Sequence, residues 1–240
     1  MVTALPLLTK STLARDCYQV LKRAIVNLDL APGAPIDEGQ IAAQLGISKT
    51  PVREALARLI GEGFCVLGLE RKPMVSEISI EGVRELYHVR LMFEPASVHQ
   101  ITPHISNEDI ATLARMIEAS QEALDRDDGA AFVGANETFH SALIGHSGNR
   151  YLIGISSGIF EQANRISVAI YRAEQHLAYF ALSVQGLENH RHILDAIRAR
   201  DADRASAAMS ADIGLFLQKF DTEEMREAFR QFTYRPAAGM

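Results

Sequence analysis

The chain has 240 residues, of which 48% are hydrophobic, and its formal net charge is −6 at pH 7. This length can bury a substantial core in one or two domains, and the apolar fraction is that of an ordinary globular protein. The acidic charge argues against a general binder of polyanions, and the absence of a long apolar run or a signal-peptide pattern argues against a membrane or secreted protein.

The cysteines and the distribution of charge indicate the compartment and the partner. Cys17 and Cys65 both lie in apolar settings, which predicts buried thiols in a reducing compartment and hence a cytoplasmic protein. Residues 1–75 carry nine Lys/Arg and seven Asp/Glu, whereas the remainder carries 15 and 23. A mildly basic front on an acidic body suits a protein that touches DNA with one end.

The front of the chain predicts two helices before the motif described next. Residues 1–9 show no periodicity and are interpreted as a flexible leader. A helix is predicted over 10–29, a Pro-Gly turn at 32–33 ends it, and a second helix is predicted over 36–45. The positions expected to face inward are Leu13, Cys17, Val20, Leu21, Ala24, Ile25 and Leu28 in the first helix and Ile41, Ala42 and Leu45 in the second.

The segment 47–59 predicts a short helix suited to a DNA groove. Ser48 or Thr50 can cap its start, and its apolar residues recur at helical spacing. A helix, a glycine turn and a capped helix with exposed cations form the helix-turn-helix pattern, although an ordinary helical hairpin with solvated cations is the alternative. The residues that share the exposed face, four apart, are Lys49, Arg53 and Ala57.

Residues 40–56, followed by Leu59 and Glu62-Gly63-Phe64, closely resemble the winged helix-turn-helix of the GntR family of bacterial transcription regulators. The family's usual Ser-Arg-Thr-Pro-Val-Arg-Glu-Ala-Leu is matched except that Lys49 replaces the first arginine. The resemblance implies major-groove binding, with Arg53 reading guanine and with Lys49 and Arg58 holding phosphates. Lysine weakens two-point base reading, so we expect an altered operator preference. The predicted DNA contacts are Ser48, Lys49, Thr50, Arg53, Arg58, Arg71 and Lys72.

Two short strands, at 64–67 and 73–75, predict a β-hairpin wing that completes a DNA-binding domain over residues 10–76. Arg71 and Lys72 at its tip are expected to contact phosphate or a minor groove. Members of the GntR family usually carry a glycine where this chain has Lys72 and Pro73. The resemblance therefore does not imply the shape of this wing.

Residues 80–233 predict helices without any alternating strand pattern, so the expected fold is mostly α, with an all-α bundle behind the winged helix-turn-helix. Three segments, 87–94, 136–149 and 188–197, resemble in order the FadR-type C-terminal domain, FCD, of GntR regulators. That resemblance implies an effector-binding and dimerisation domain. The predicted helices cover about 80–102, 106–127, 129–146, 149–172, 175–200, 201–219 and 221–232, with a frayed end at 235–240.

The FCD resemblance also implies a metal site. Asn136 and His140 are four apart and therefore point the same way on a helix. Many FCD members hold a divalent metal with an aspartate and a histidine at these positions and two later histidines, which fall here on His190 and Asp212. Two imidazoles and a carboxylate suit zinc, nickel, iron or manganese, with Glu137 as a further donor. The alternative is a polar pocket in which the histidines bond to neighbours or water.

Arg90 precedes Glu94 by four residues beside an apolar stripe. Its planar fork fits a carboxylate at two points, and relatives place an arginine here near the pocket. The resemblance thus implies an effector site formed by Arg90, Glu94, Asn136, His140 and His190. A structural Arg90–Glu94 ion pair is the alternative that the residues leave equally open.

The sequence therefore predicts a homodimeric bacterial repressor, associated with the nucleoid when bound, that reads the half-sites of a near-palindromic double-stranded operator. A small organic acid would alter DNA binding only if it prefers one arrangement of the protein. Two other function classes stay open: a metal-dependent enzyme that uses His140, His190 and Asp212, and a DNA-binding dimer without an effector. An enzyme would leave the DNA-binding front unexplained, which favours the regulator.

Overall fold

The computed structural model of the protein describes residues 12–172 and 176–219, and the chain divides between Glu77 and Ile78 into two compact units. The predicted leader at 1–9, the helix at 221–232 and the frayed end at 235–240 lie outside the described residues. In the N-terminal unit the elements are α1 Thr12–Val26, α2 Glu38–Leu45, α3 Lys49–Gly61, β1 Cys65–Leu67 and β2 Pro73–Val75.

The N-terminal unit is held by a small apolar core between α1, α3 and the hairpin, in which Ile25, Val52, Leu59 and Phe64 are completely buried. Asp37 caps α2 by accepting hydrogen bonds from the backbone N–H groups of the next turn. Gly46 ends α2 in the left-handed conformation, with φ 65°, which turns the chain directly into α3. Ser48 occupies the N-cap position of α3, but its side chain makes no capping hydrogen bond. The predicted helix-turn-helix is therefore confirmed.

Three residues predicted to face inward are exposed instead: Leu13 (51%), Val20 (50%) and Leu45 (37%). The buried stripe of α1 follows Cys17, Tyr18, Leu21 and Ile25, and this stripe is too narrow to include Val20. Leu28 lies beyond the end of α1 and has a positive φ of 57°. The predicted buried thiols are confirmed, because Cys17 and Cys65 are both free and buried.

The wing is a two-stranded antiparallel hairpin in which Cys65 pairs with Val75 and Leu67 pairs with Pro73. A 3-10 turn, Leu69–Arg71, joins the strands, and Arg71 takes a positive φ of 58°. A non-glycine residue thus adopts the left-handed conformation in this tip, at the local cost that a side chain imposes there. The segment before α2 runs beside β2, with the N–H of Ile36 donating to the carbonyl of Pro73 at 2.8 Å.

The C-terminal unit is all helical over its described residues, as predicted, and three of its helices begin directly after a capping residue. Ser79, Ser106 and Asp128 each accept a hydrogen bond from a backbone N–H in the first turn that follows. None of the helices described is both long and apolar enough to cross a membrane. The helices are α4 Ile80–Ile101, α5 Asn107–Asp125, α6 Gly129–Gly145, α7 Arg150–Arg172, α8 His176–Arg198 and α9 Ala202–Lys219.

One continuous core joins these helices. Val98, Leu113, Phe139, Ile193 and Met209, from five different helices, are all completely buried in it. Helix α9 packs against both α4 and α8, and α6 packs against α4, α5 and α7. This arrangement brings the inner faces of α4, α6, α8 and α9 together, and the polar groups on those faces form the site described below.

Candidate functional site

Helix α3 exposes the face that was predicted to meet DNA. Ser48, Lys49, Thr50 and Arg53 are all exposed, whereas the opposite stripe of α3 is buried in the core of the N-terminal unit. The helix therefore presents a cationic, uncovered surface at its N-terminal half.

Two of these cations already have contacts with α2. The Nε of Arg53 donates to the Oε2 of Glu38 at 2.6 Å. The ammonium of Lys49 lies over Gly39, so close that a Cβ placed there would be 3.3 Å from Nζ. Lys49 also helps to hold the pKa of the nearby Asp37 below its usual value, after the larger effect of the backbone hydrogen bonds to that carboxylate.

Arg58 occupies a different environment at the end of α3. Its Nε donates to Glu62 at 2.9 Å, and its guanidinium lies 3.8 Å from the centre of the Tyr18 ring. Lys22 donates to both Tyr18 and Glu62, at 2.7 and 2.9 Å. Burial raises the pKa of Glu62, but the hydrogen bonds from Lys22 and Arg58 outweigh it, so the carboxylate stays charged. The group ties α1 to the end of α3.

The wing tip places Arg71 and Lys72 on the surface, as predicted, beside Leu69, which is 92% exposed. Gly68 permits this conformation, because a Cβ there would stand 2.2 Å from the sulfur of Met74. The tip thus offers two cations and one apolar side chain to a surface that approaches it.

In the C-terminal unit, the structure brings together three of the four residues predicted as metal ligands, His140, His190 and Asp212. The Nε2 atoms of His140 and His190 are 3.2 Å apart, and the Oδ2 of Asp212 lies 3.3 Å from the first and 3.7 Å from the second. The side chains come from α6, α8 and α9 and are at most 9% exposed. They form a candidate metal-binding group among the described residues.

This donor set fits a metal ion. Bonds of about 2.0–2.1 Å to a tetrahedral ion separate neighbouring ligand atoms by about 3.3 Å, which is close to the three spacings observed. The Nδ1–H of His140 donates to the Oε2 of Glu94 at 2.6 Å, which orients the imidazole so that Nε2 faces the group. The Nδ1 of His190 is buried and has no hydrogen-bond partner among the described residues.

The charges in the group are strongly coupled. Burial alone would lower the pKa of His140, but the charge of Glu94 and the bonds to Asp212 and Glu94 raise it to about 9. Burial lowers the pKa of His190. Burial likewise opposes the ionisation of Asp212, but the two histidines hold its pKa well below the usual range. Without a metal, a proton on His140 thus balances the charge of Asp212, since Arg90 already balances Glu94.

Arg90 is paired with Glu94, the alternative that the sequence left open. The two are at most 2% exposed, their Nε and Oε1 atoms are 2.5 Å apart, and the Nη1 of Arg90 lies 3.7 Å from Glu137. Glu137 is also buried, and within the part of the chain that the structure describes neither of its carboxylate oxygens has a hydrogen-bond partner. Burial raises the pKa of Glu137. Arg90 still lines the cavity next to the histidines, but Glu94 already neutralises its charge.

A cavity of about 50 Å³ lies beside this group. Asn136 is half-buried and lines it, together with His140 and Asp212 from the proposed ligand set. Two lining residues, Ser167 and Gly186, were not identified from the sequence. Gly186 precedes His190 by four residues and so shares its helix face, a spacing that could have indicated it. Ser167 belongs to α7, and no spacing relates it to the others.

Comparison with known proteins supports the same division of the chain. Residues 13–72 match the gntR family of bacterial regulatory proteins, and residues 85–214 match the FCD domain. The transcriptional repressor RspR of Escherichia coli is 24% identical over 217 residues, covering 90% of this chain and 89% of that protein. A probable repressor of the D-xylose utilization operon from Paenarthrobacter nicotinovorans is 26% identical over 210 residues, covering 88% and 89%.

The solved structure of E. coli McbR/YncC has the same fold, with a TM-score of 0.72, 22% identity, and coverage of 93% of this chain and 100% of that one. A putative GntR regulator from Rhodococcus sp. RHA1 gives a TM-score of 0.66 at 23% identity, covering 94% and 100%. Both sequence relatives are named as transcriptional repressors, and neither supports the alternative of a metal-dependent enzyme. The chain belongs to the GntR family of bacterial DNA-binding regulators, in the branch that carries an FCD domain, and it is a transcriptional regulator and not an enzyme.

Proposed function

We propose that this regulator is a homodimeric repressor in the bacterial cytoplasm whose affinity for a near-palindromic operator changes when a small organic acid binds in the C-terminal unit. The observation that carries the effector part is the convergence of His140, His190 and Asp212 beside a small polar cavity. Buried polar groups that face one another in a cavity are costly to a fold, so a bound ligand is the simplest reason for their presence.

The DNA part of the proposal rests on the exposed face of α3. Arg53 reads a guanine in the major groove, while Ser48, Lys49 and Thr50 contact phosphates or base edges. Arg71 and Lys72 of the wing contact the backbone next to that groove. A phosphate contact by Arg58 would have to form beside its existing bond to Glu62.

For the metal, the proposed ligands are the Nε2 atoms of His140 and His190 and a carboxylate oxygen of Asp212, and zinc, nickel and manganese all accept such a set. Asn136 contributes an amide oxygen or a hydrogen bond, without charge. A bound divalent ion supplies positive charge and an open coordination position for an acid. Glu94 holds the imidazole of His140 in the tautomer that leaves Nε2 available.

The size and charge of the cavity indicate the kind of effector. A volume of about 50 Å³ holds only a few water-sized groups, so the ligand has few non-hydrogen atoms. Because Arg90 and Glu94 cancel, a divalent ion and Asp212 leave the group with one positive charge. A small monocarboxylate matches that charge, and Asn136 and Ser167 are available to hydrogen-bond its other polar atoms.

An apolar strip on two helices supports self-association. Helices α4 and α7 pack together through Phe93 and Phe160. On their surface, Met92 is 77% exposed and Ile155 is 64% exposed. Large exposed apolar side chains on neighbouring helices are typical of interaction surfaces. Dimerisation there would hold two DNA-binding units for the two half-sites of an operator.

A thermal-shift screen of the full chain against small carboxylic acids, with and without zinc and with chelator, tests the effector proposal. An acid that raises the melting temperature only with metal, and that also changes affinity for promoter DNA in fluorescence anisotropy, supports the sensor. Conversion of the acid would support the enzyme, and no response to any acid would support the dimer without an effector. His190→Ala should abolish the shift, whereas His192→Ala, an exposed histidine on the same helix, should leave it unchanged.

A further inference from the structure

An ion pair joins the two helices of the DNA-binding motif, and it uses only one edge of the arginine side chain. Glu38 lies in the first turn of α2 and Arg53 lies in the second turn of α3. The contact joins the Nε of Arg53 to the Oε2 of Glu38 at 2.6 Å, and the two side chains are 64% and 26% exposed. Both residues therefore lie on the surface that was proposed to face the duplex.

A guanidinium carries five N–H groups, of which only one belongs to Nε. A bond from Nε to Glu38 does not use the two terminal nitrogens, Nη1 and Nη2, which form the pair on the other edge. That pair is the edge that matches the O6 and N7 acceptors of guanine in the major groove. A carboxylate behind Nε thus fixes the plane of the fork without using the atoms that read the base.

Glu38 is well placed to act as a rigid support. It belongs to the first turn of α2, where the helix dipole favours a carboxylate. Asp37 closes that turn by accepting hydrogen bonds from Gly39 and Gln40 at 2.7 and 3.0 Å. The backbone that carries Glu38 is therefore held before DNA arrives, and a held partner reduces the freedom that Arg53 loses on binding.

We propose that Glu38 is a specificity-determining residue that positions Arg53 for guanine. The inference rests on the proposed base contact of Arg53 and adds the residue that orients it. The carboxylate has two consequences. It aligns the fork for the correct base, and its negative charge weakens binding to any phosphate backbone. The alignment raises the ratio of specific to non-specific affinity, whereas the charge weakens both affinities alike and leaves their ratio unchanged.

The experiment uses the full-length protein and two probes. One is the duplex that the protein enriches from a random pool, and the other is a scrambled duplex of the same composition. Fluorescence anisotropy at fixed salt gives the specificity ratio of wild type, Arg53→Ala, Glu38→Ala and Glu38→Gln. Glu54→Gln is the matched control, because Glu54 is exposed next to Arg53 on α3 and the substitution changes the charge equally. Thermal melts confirm that each variant is folded.

We expect Arg53→Ala to lower the ratio by roughly 10- to 100-fold, the value of one two-point base contact. Glu38→Ala should lower it by about 10-fold or more, since the fork loses its support. Glu38→Gln keeps an acceptor for Nε and should retain most of the ratio. Glu38→Gln and Glu54→Gln should tighten binding to the scrambled probe to a similar degree. When Arg53 is already replaced by alanine, Glu38 no longer has a fork to position. Adding Glu38→Ala should then change the specificity ratio no more than adding Glu54→Ala does.

Replacing each guanine of the enriched duplex by 7-deazaguanine, which lacks N7, locates the base that Arg53 reads. If Arg53→Ala keeps the wild-type ratio, the proposed base contact fails and the role of Glu38 fails with it. If Arg53→Ala loses the ratio while Glu38→Ala keeps it, only the role of Glu38 is overturned. If Glu38→Ala raises the ratio, Glu38 competes with DNA for Arg53, and the positioning role is again overturned.

Discussion

The pair formed by Arg90 and Glu94 predicts a large effect of a small substitution. Glu94 is fully buried and accepts hydrogen bonds from the Nε of Arg90 at 2.5 Å and from the Nδ1 of His140 at 2.6 Å. Burial alone would raise the pKa of Glu94, but the charges of Arg90 and His140 hold it below its usual value. Glu94→Gln keeps the shape and one acceptor but removes the negative charge that contacts the buried side chains of Arg90 and His140.

Removal of one partner from a buried ion pair costs about 3–5 kcal/mol, and glutamine, which still accepts one bond, falls at the lower end, about 3 kcal/mol. For a unit of this size that loss lowers the melting temperature by roughly 6–12 °C. The proposed metal site should lose about 10- to 100-fold in zinc affinity, because Glu94 orients a ligand. Urea denaturation measures the loss of stability, and competition with a chromophoric chelator measures the loss of zinc affinity.

Glu85→Gln on the same helix is the control, since Glu85 is exposed and the chemical change is identical. If Glu94→Gln and Glu85→Gln unfold at the same urea concentration, the buried pair does not contribute what its geometry implies. If Glu94→Gln is destabilised but holds zinc as tightly as wild type, the orienting role of Glu94 is wrong while the structural role stands.

Three further predictions concern other parts of the chain. Glu62→Gln should destabilise the N-terminal unit at pH 7, because Lys22 and Arg58 lower the folded pKa of Glu62 against the effect of burial. That difference in urea midpoint should shrink as pH falls from about 4 through the lowered pKa of folded Glu62, and a difference that stays constant while pH falls through the acid range would contradict it. Gly46→Ala should cost about 1 kcal/mol in urea denaturation, since φ is 65° there and no neighbouring atom adds to the strain, whereas Gly46→Asn should cost less. Met92→Glu should yield monomers at micromolar concentration in analytical ultracentrifugation, and an unchanged dimer would exclude the proposed apolar strip.

The sequence determined most of the local structure, because helices and turns depend on neighbouring residues. The predicted helix starts near residues 80, 106 and 129 and the glycine turn at Gly46 agree with the observed helix ends to within a few residues. The face of α3 that carries Arg53 followed from spacing alone. These signals act within one or two turns of chain, so they need no knowledge of the rest of the molecule.

Side-chain partners required the tertiary structure. His140 and Asp212 are 72 positions apart in the sequence, and only the packing of α6, α8 and α9 brings their polar atoms to 3.3 Å. The spacing of Arg90 and Glu94 could not show whether Arg90 pairs with Glu94 or binds an effector, since both interpretations place the two residues four apart. The structure shows the ion pair with both side chains buried. A buried arginine without a neighbouring anion would be costly to the fold, so Glu94 has to neutralise it in the folded protein.

The exposed leucines and valine of the N-terminal unit likewise show that burial depends on the tertiary structure. Periodicity predicted Val20 inside, but the width of the buried stripe on α1 depends on how much of it α3 covers. Likewise, the sequence determined that Arg53 is a cation on an exposed face. Its partner, Glu38, was decided by the angle at which two short helices meet, since a side chain pairs with whatever the fold places within its reach.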